Sequence, residues 1–257
     1  LAHAPVLAAL GALRSGAGLV TLALPASGAA AAAAWTPEAM VCLLSAEGGA
    51  LSSEALAEWG GDFSRFDGVV AGPGLGTSAA ARGVVAHLLG TVPGRLLLDA
   101  DALTLLAALQ AEGAWQPREG QERLLTPHPG EAARLLGTTA AEVQADRLGA
   151  VQCLAERYRA TVVLKGAGTL VCAPGGVPRL NRTGNPGMAC GGMGDVLAGM
   201  AGALWVQGLH ADLAAATAVW AHGTAADEVA WAEGYTALGA TALARRLGTV
   251  YRLLERK

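Results

Sequence analysis

The 257 residues predict one α/β domain with a mainly parallel central sheet covered by helices on both faces. Three observations carry this. Short apolar runs recur, each followed by polar or glycine-rich residues and then a helical stretch, which is the βαβ pattern. The runs are apolar at successive rather than alternate positions, as in strands buried on both faces. Residues with chemical potential stand directly after the runs, where open α/β sheets bind ligands.

In chain order, the text opens in a helical pattern and reaches a first run at Leu19–Leu24. The uncharged stretch from Ser15 to Pro37 is long enough to suggest a membrane span, but Gly16, Gly18, Pro25, Ser27 and Gly28 break it into a strand and a loop. Ala29–Ala34 has strong helix propensity and no functional weight. Further strands are predicted at Val69–Ala71, Leu96–Leu98, Leu124–Leu125 and Val162–Leu164. Two extended runs within Thr169–Asn181, separated by Pro174-Gly175-Gly176, read as a hairpin. From Asp195 onward the chain is alanine-rich and helical, with Gly208 ending one helix and Asp212 capping the next.

Composition narrows the partners. A net charge of −3 with scattered Lys and Arg lacks the footprint of a nucleic-acid binder, and no transmembrane segment is predicted. Cys42, Cys153, Cys172 and Cys190 have neither zinc spacing nor the density of a disulfide scaffold, so they read as reduced thiols in a cytoplasmic protein. Hydrophobic residues make up 53%, much of it alanine; the apolar surface expected of such a chain points to a homo-oligomer. The start at Leu1, inside a helical pattern, gives the expectation that some N-terminal sequence is missing.

The strongest motif is the stretch from Asn185 to Gly199, NPGMACGGMGDVLAG, a glycine-dense loop entering a helix. Small residues let backbone N–H groups at Gly191, Gly192, Met193 and Gly194 converge, and a helix N-terminus adds its dipole, which together suit a phosphate. Tight turning and close helix packing would explain the same glycines. A carboxylate at Asp195, directly after them, supplies a base beside fixed dipoles, the requirement for phosphoryl transfer to an alcohol. A helix start with N–H donors predicts that Asp195 is held ionised.

This stretch resembles the signature of the ribokinase-like superfamily, in its NAD(P)H-hydrate dehydratase branch. Gly16-Ala17-Gly18-Leu19-Val20, Gly72-Pro73-Gly74-Leu75-Gly76, Leu98-Asp99-Ala100-Asp101-Ala102-Leu103, Thr126-Pro127-His128-Pro129-Gly130-Glu131, Lys165-Gly166-Ala167-Gly168-Thr169 and His222-Gly223 match the branch in the same order. Cys190 and Met193 depart from it, standing where the family usually has threonine or serine.

The resemblance implies an ADP- or ATP-dependent dehydration of hydrated NADH or NADPH, with ADP preferred, releasing AMP and phosphate. It makes Asp195 the catalytic base and places the dinucleotide against Ala4, Gly74, Gly76, His128 and Asp195. It puts the AMP moiety against Lys165, Gly166, Ala167, Gly168, Thr169 and Gly194, and magnesium near Glu131 through water. Magnesium keeps several waters and takes few carboxylates, which suits a site poor in acids. Asp99 and Asp101 are expected to support the site or cap the next helix. Many members are fused to an epimerase domain, a question that the sequence leaves open.

Read without the family, several of these residues have plainer uses. Lys165 suits a solvated lysine in a turn, Gly74 and Gly76 suit turn geometry, and a lone histidine such as His128 is more often structural. Two other functions compete: a small-molecule kinase acting on a sugar or vitamin-precursor alcohol, and a non-enzymatic nucleotide-binding module. The TPHPGE segment at Thr126–Glu131 resembles the dehydratase branch and speaks against the first; Asp195 speaks against the second.

Overall fold

The structure is a computed structural model that describes residues 3–47, 50–52, 54–59 and 62–255. The chain opens with helix α1 (Ala4–Arg14), strand β1 (Thr21–Pro25), α2 (Ala29–Trp35), β2 (Met40–Leu44), a small hairpin β3 (Ala46–Glu47) and β4 (Ala50–Leu51), and α3 (Ala55–Trp59). Alternation follows: β5 (Gly68–Ala71), α4 (Ala79–Thr91), β6 (Arg95–Leu98), α5 (Asp101–Ala111) and β7 (Glu122–Leu125). Helices α6 (Pro129–Leu136), α7 (Ala140–Ala145) and α8 (Arg147–Tyr158) lead to β8 (Thr161–Leu164) and the hairpin β9 (Leu170–Cys172) and β10 (Arg179–Leu180). Three helices close the described chain: α9 (Met193–Val206), α10 (Ala211–Glu233) and α11 (Ala240–Glu255).

The main sheet has the order β10-β9-β8-β7-β6-β5. Neighbours from β5 to β8 are parallel, whereas β9 and β10 are antiparallel additions at one edge. The successive apolar residues predicted for the inner strands divide between two cores. Leu96, Leu98, Leu125, Val162 and Leu164 point into one, with residues of α4, α5, α6 and α8. Leu97, Leu124 and Val163 point into the other, with residues of α9, α10 and α11. Side chains alternate across a strand, so a strand covered on both faces must be apolar at every position. Each of these leucines is fully buried, and truncating one to alanine would cost about 2–5 kcal/mol.

The first apolar run behaves differently. Leu19 is 83% exposed, and the strand starts at Thr21. It pairs in parallel with β2 in a separate two-stranded sheet rather than with the main one. Only Leu22 and Leu24 are buried there, against Val6, Ala9 and Ala32, so this strand alternates instead of being buried on both faces.

Small residues let helices approach closely. A Cβ built on Gly199 of α9 would lie 1.8 Å from the Ala8 carbonyl oxygen of α1, and one on Gly11 would lie 2.3 Å from the Val196 oxygen. Gly208, at φ +100°, follows the end of α9 as predicted. Asp212 does not cap α10. His210 holds that place, and Asp212 sits in the first turn with Arg179 2.9 Å away. No described helix is long and apolar enough to cross a membrane.

Candidate active site

The parallel strands deliver their following residues to one place. Asp99 follows β6, Thr126 follows β7 and Lys165 follows β8. Asp99 Oδ1 accepts hydrogen bonds from Lys165 Nζ and Thr126 Oγ1, each at 2.7 Å. Lys165 is therefore no solvated turn residue: its side chain is 19% exposed, and Glu131 Oε2 stands 3.8 Å from the same amine. Burial works against the lysine's charge, but Asp99, with Glu131 and Asp195 beyond it, outweighs burial and holds the pKa above the ordinary lysine range.

Backbone contacts fix these ends. The Asp99 N–H donates to the Ala71 oxygen, Thr126 N–H to the Leu98 oxygen, and Lys165 N–H to the Pro127 oxygen. Gly72 adopts φ +123°, and a Cβ there would lie 1.7 Å from the Asp99 oxygen, so no other residue fits. Ala100, between the two aspartates, has φ +48°, a conformation that stores roughly 1–3 kcal/mol of strain. It turns Asp101 toward the loop after β5, where Asp101 Oδ2 accepts from the Gly76 N–H at 2.8 Å. Asp101 thus joins Gly76 to the site.

His128 and Glu131 form a reciprocal cap on α6. His128 Nδ1 accepts from the Gly130 and Glu131 N–H groups, and the His128 N–H donates to Glu131 Oε2 at 2.7 Å. That leaves Nε2 as the protonated ring nitrogen of the neutral form, 3.3 Å from Glu131 Oε1. The histidine side chain is 52% exposed, so its outer edge faces solvent while its inner nitrogen positions the helix start.

Across from this wall lies the glycine loop. Asp227 of α10 anchors its approach, accepting from the Gly184 N–H at 2.8 Å and from Asn185 Nδ2 at 2.9 Å. Gly223 of α10 packs directly on Thr183, where a Cβ would lie 2.2 Å from the hydroxyl. The adjoining His222 is held neutral near pKa 4 by burial, touching the Met193 backbone. Gly192, at φ +88°, occupies the N-cap of α9 with no side chain capping the helix. The first N–H groups of α9 are thereby left for an anion. Met193 is 5% exposed and lies in the core under α9, so its side chain is turned away from the loop's open side; Cys190 is exposed.

Gly194 closes the gap between the walls. A Cβ built on it would be 3.4 Å from Lys165 Nζ and 3.9 Å from Asp99 Oδ2. Asp195 follows, half-buried, and its carboxyl is pushed up to about 6 by burial and by Asp99 and Asp101, against the opposing pull of Lys165. This corrects the expectation of a carboxylate held firmly ionised: the acid-rich strand ends outweigh the helix start. A base titrating near 6 remains ionised at neutral pH and is better matched to accepting a proton there.

The Lys165–Thr169 turn is built for its backbone. Gly166 and Gly168 have φ +133° and +66°, and Thr169 Oγ1 donates to the Gly166 oxygen at 2.9 Å. Arg147 clamps it, one guanidinium nitrogen donating to the Leu164, Lys165 and Gly168 oxygens at 3.0, 3.3 and 3.2 Å. The sequence pattern did not reveal Arg147, Thr126 as a partner of Asp99, or Asp227. Each acts through a contact distant in the chain, with no local motif to mark it. Ala4 opens α1 and lies in the first turn of that helix. Among the described residues no group of three or more His, Cys, Asp or Glu could hold a metal ion.

The candidate site is thus a half-buried carboxylate beside uncapped helix-start amides, at the carboxyl edge of the mainly parallel sheet of a ribokinase-like fold. The profile of the NAD(P)H-hydrate dehydratase family matches residues 2–248, and the chain belongs to that family. It is 42% identical over 256 residues to the bifunctional NAD(P)H-hydrate repair enzyme of Moorella thermoacetica, covering 99% of this chain and 48% of that protein. It is 47% identical over 169 residues to the ADP-dependent (S)-NAD(P)H-hydrate dehydratase of Neisseria meningitidis, covering 65% of this chain and 57% of that one. The chain thus spans about half the length of these relatives. Among solved structures, the ADP/ATP-dependent NAD(P)H-hydrate dehydratase of Bacillus subtilis, co-crystallized with ATP/Mg2+ and soaked with CoA, superposes with a TM-score of 0.84. That pair is 28% identical, covering 98% of this chain and 87% of the other.

Proposed function

We propose that this domain regenerates NADH and NADPH from their hydrates, using ADP as phosphoryl donor. The observation that carries the proposal is Asp195 beside the uncapped amides of α9, with Lys165 and Asp99 facing it. A ring hydroxyl is a poor leaving group near neutral pH. Asp195 takes its proton as the oxygen attacks the terminal phosphorus of ADP, and the P–O bond to AMP breaks. The N–H groups of Gly191, Gly192, Met193 and Gly194 meet the charge on the moving phosphoryl group. The ring nitrogen's lone pair then expels phosphate, and loss of the neighbouring ring proton restores the reduced nicotinamide.

The Lys165–Thr169 turn, with Gly194, receives the AMP moiety, and Gly74, Gly76, Ala4 and His128 receive the dinucleotide. The relatives' names support the donor: the Neisseria protein is called ADP-dependent, and the Bacillus one ADP/ATP-dependent. Direct magnesium ligation does not fit the residues present, since both Glu131 oxygens already face His128 and one also faces Lys165. Magnesium would arrive on the nucleotide phosphates, with Glu131 reached only through water. We also place the protein in the cytoplasm, as a homo-oligomer closed over the exposed Met40, Val41 and Leu43 of β2.

The test is incubation with hydrated NADH and ADP or ATP, following the absorbance of the reduced ring. ADP-dependent recovery of that absorbance with release of AMP and phosphate is expected. A stable phosphate ester without the reduced ring would overturn the proposal in favour of a kinase.

A further inference from the structure

The Lys165–Thr169 turn owes its shape to a residue outside it. Arg147 opens α8, and Asp146 caps that helix by accepting from the Gly149 N–H at 2.8 Å. Gln144 Oε1 accepts from Arg147 Nη1 at 2.7 Å and so aims the guanidinium at the end of β8. There Nη2 donates to the Leu164, Lys165 and Gly168 oxygens at 3.0, 3.3 and 3.2 Å, and Nη1 reaches the Lys165 oxygen at 3.4 Å. The fit is close: a Cβ on Gly166, at φ +133°, would lie 3.2 Å from Nη1. Among the described residues no carboxylate forms an ion pair with Arg147, so its charge bears on the turn.

In a trans peptide the C=O and N–H point in opposite directions. A cation that draws in the Lys165 and Gly168 oxygens therefore turns the N–H groups of Gly166 and Thr169 away from itself. The Thr169 hydroxyl, by holding the Gly166 oxygen at 2.9 Å, fixes the Ala167 N–H in the same manner. The Asn181 N–H closes the turn from the β10 side, donating to the Thr169 oxygen at 2.8 Å. The carbonyls of Lys165, Gly166, Gly168 and Thr169 are thus occupied. Among the described residues the Gly166 and Ala167 N–H groups have no acceptor, and both residues are exposed. Outward amides backed by a cation suit an anionic ligand. We propose that Arg147 is a positioning residue for the phosphoryl donor, acting only through the turn: it sets the outward N–H groups and stands its charge behind them. The proposal rests on the reading that this turn receives the AMP moiety.

Calorimetric titration of AMP and steady-state kinetics with ADP test this on Arg147→Met, Arg147→Lys and a matched control. The control is Arg157→Met. Arg157 also spans two carbonyls, those of Leu135 and Leu136 at 3.1 and 3.0 Å, but at the end of α6 rather than at the turn. Losing hydrogen bonds from a charged group, Arg147→Met should weaken AMP binding and raise KM for ADP by about 10–10²-fold. Its kcat should stay within about threefold of the wild type, since the base and the α9 amides are untouched. Guanidinium ion at low millimolar concentration should restore much of the AMP affinity of Arg147→Met and do nothing for Arg157→Met. Lysine returns the charge as a compact ammonium without the planar fork, so Arg147→Lys should recover only part of the affinity. Its AMP titration decides the question if the methionine variant fails to fold. Unchanged AMP affinity in a folded Arg147 variant, an equal loss in Arg157→Met, or a fall confined to kcat would each overturn the proposal alone. A wild type that binds no AMP would overturn the nucleotide reading of the turn, and this proposal with it.

Discussion

The two walls of the site hold their charges by opposite means. On the sheet side, Asp99, Lys165, Thr126, Glu131 and His128 are linked side chain to side chain, and nearly every polar atom has a partner. On the α9 side the loop contributes backbone N–H groups, and Asp195 is its single carboxylate. The first wall is wired to be stable; the second is left unsatisfied so that a ligand can complete it. Burial lifts Asp195 to about 6 because it sits between them, with acids opposite and an imperfect counter-charge in Lys165.

Removing the charge that stands between the walls should have the largest effect. Asp195→Asn keeps the shape and deletes the base, so single-turnover kcat should fall by about 10²–10⁴-fold while ADP still binds by calorimetry. Stability should move the other way. The folded pKa near 6 lies above the usual 3.8, so the folded state holds the proton more tightly than the unfolded chain. Ionised Asp195 therefore destabilises the fold as pH rises from about 4 to 6, by of the order of 3 kcal/mol at pH 7. Denaturant unfolding at pH 7 should find the asparagine variant more stable, and the difference should vanish near pH 4. In the wild type, kcat should fall as pH drops through about 6. Near-normal turnover in Asp195→Asn would sink the assignment.

Breaking the wired wall comes next. Lys165→Met leaves Asp99, 1% exposed, without its counter-ion, and removing one partner of a buried pair typically costs about 3–5 kcal/mol. Since Lys165 also pulls the Asp195 pKa down, the acid limb of kcat should shift above 6. A stability loss without that shift would show that the lysine supports the wall but does not tune the base.

The sequence showed these walls unequally. The inner strands were legible because burial on both faces forces apolar residues at every position, and Leu96–Leu98 and Val162–Leu164 obey that. The first run, Leu19–Leu24, looked alike but joined another sheet, because a short apolar run does not say which edge it will pair with. The glycine loop was legible from its residues alone. The ion pair that turns Lys165 inward was not, since its partner stands 66 residues away and no local pattern couples them. For the same reason the helix start at Asp195 was visible while the acids that raise its pKa were not.

A smaller effect should follow from His128→Ala, which probes the seam between the walls. Loss of the cap on α6 should cost about 0.5–2 kcal/mol of stability. The exposed outer edge of the half-exposed ring is the part proposed to meet substrate, so KM for the hydrated dinucleotide should rise with kcat little changed. A fall confined to kcat would move His128 into the chemical step.

The smallest expected effect tests whether the second wall truly works through its backbone. Cys190 stands where the family usually carries a hydroxyl, and in this chain it is exposed, its sulfur 3.6 Å from the Leu238 oxygen. A hydroxyl that bonded phosphate directly would contribute about 0.5–1.5 kcal/mol, or up to roughly tenfold in affinity. In the proposed reading the N–H groups of the uncapped helix start supply the anion contact with no help from position 190, and Met193 keeps its side chain in the core beneath them. Cys190→Ser should therefore change ADP affinity by less than about twofold, well under a single net hydrogen bond. Isothermal titration of ADP into both proteins resolves a difference of that size. A tenfold gain in the serine variant would mean that the loop binds with side chains as well as amides, and the contrast between the two walls would fail.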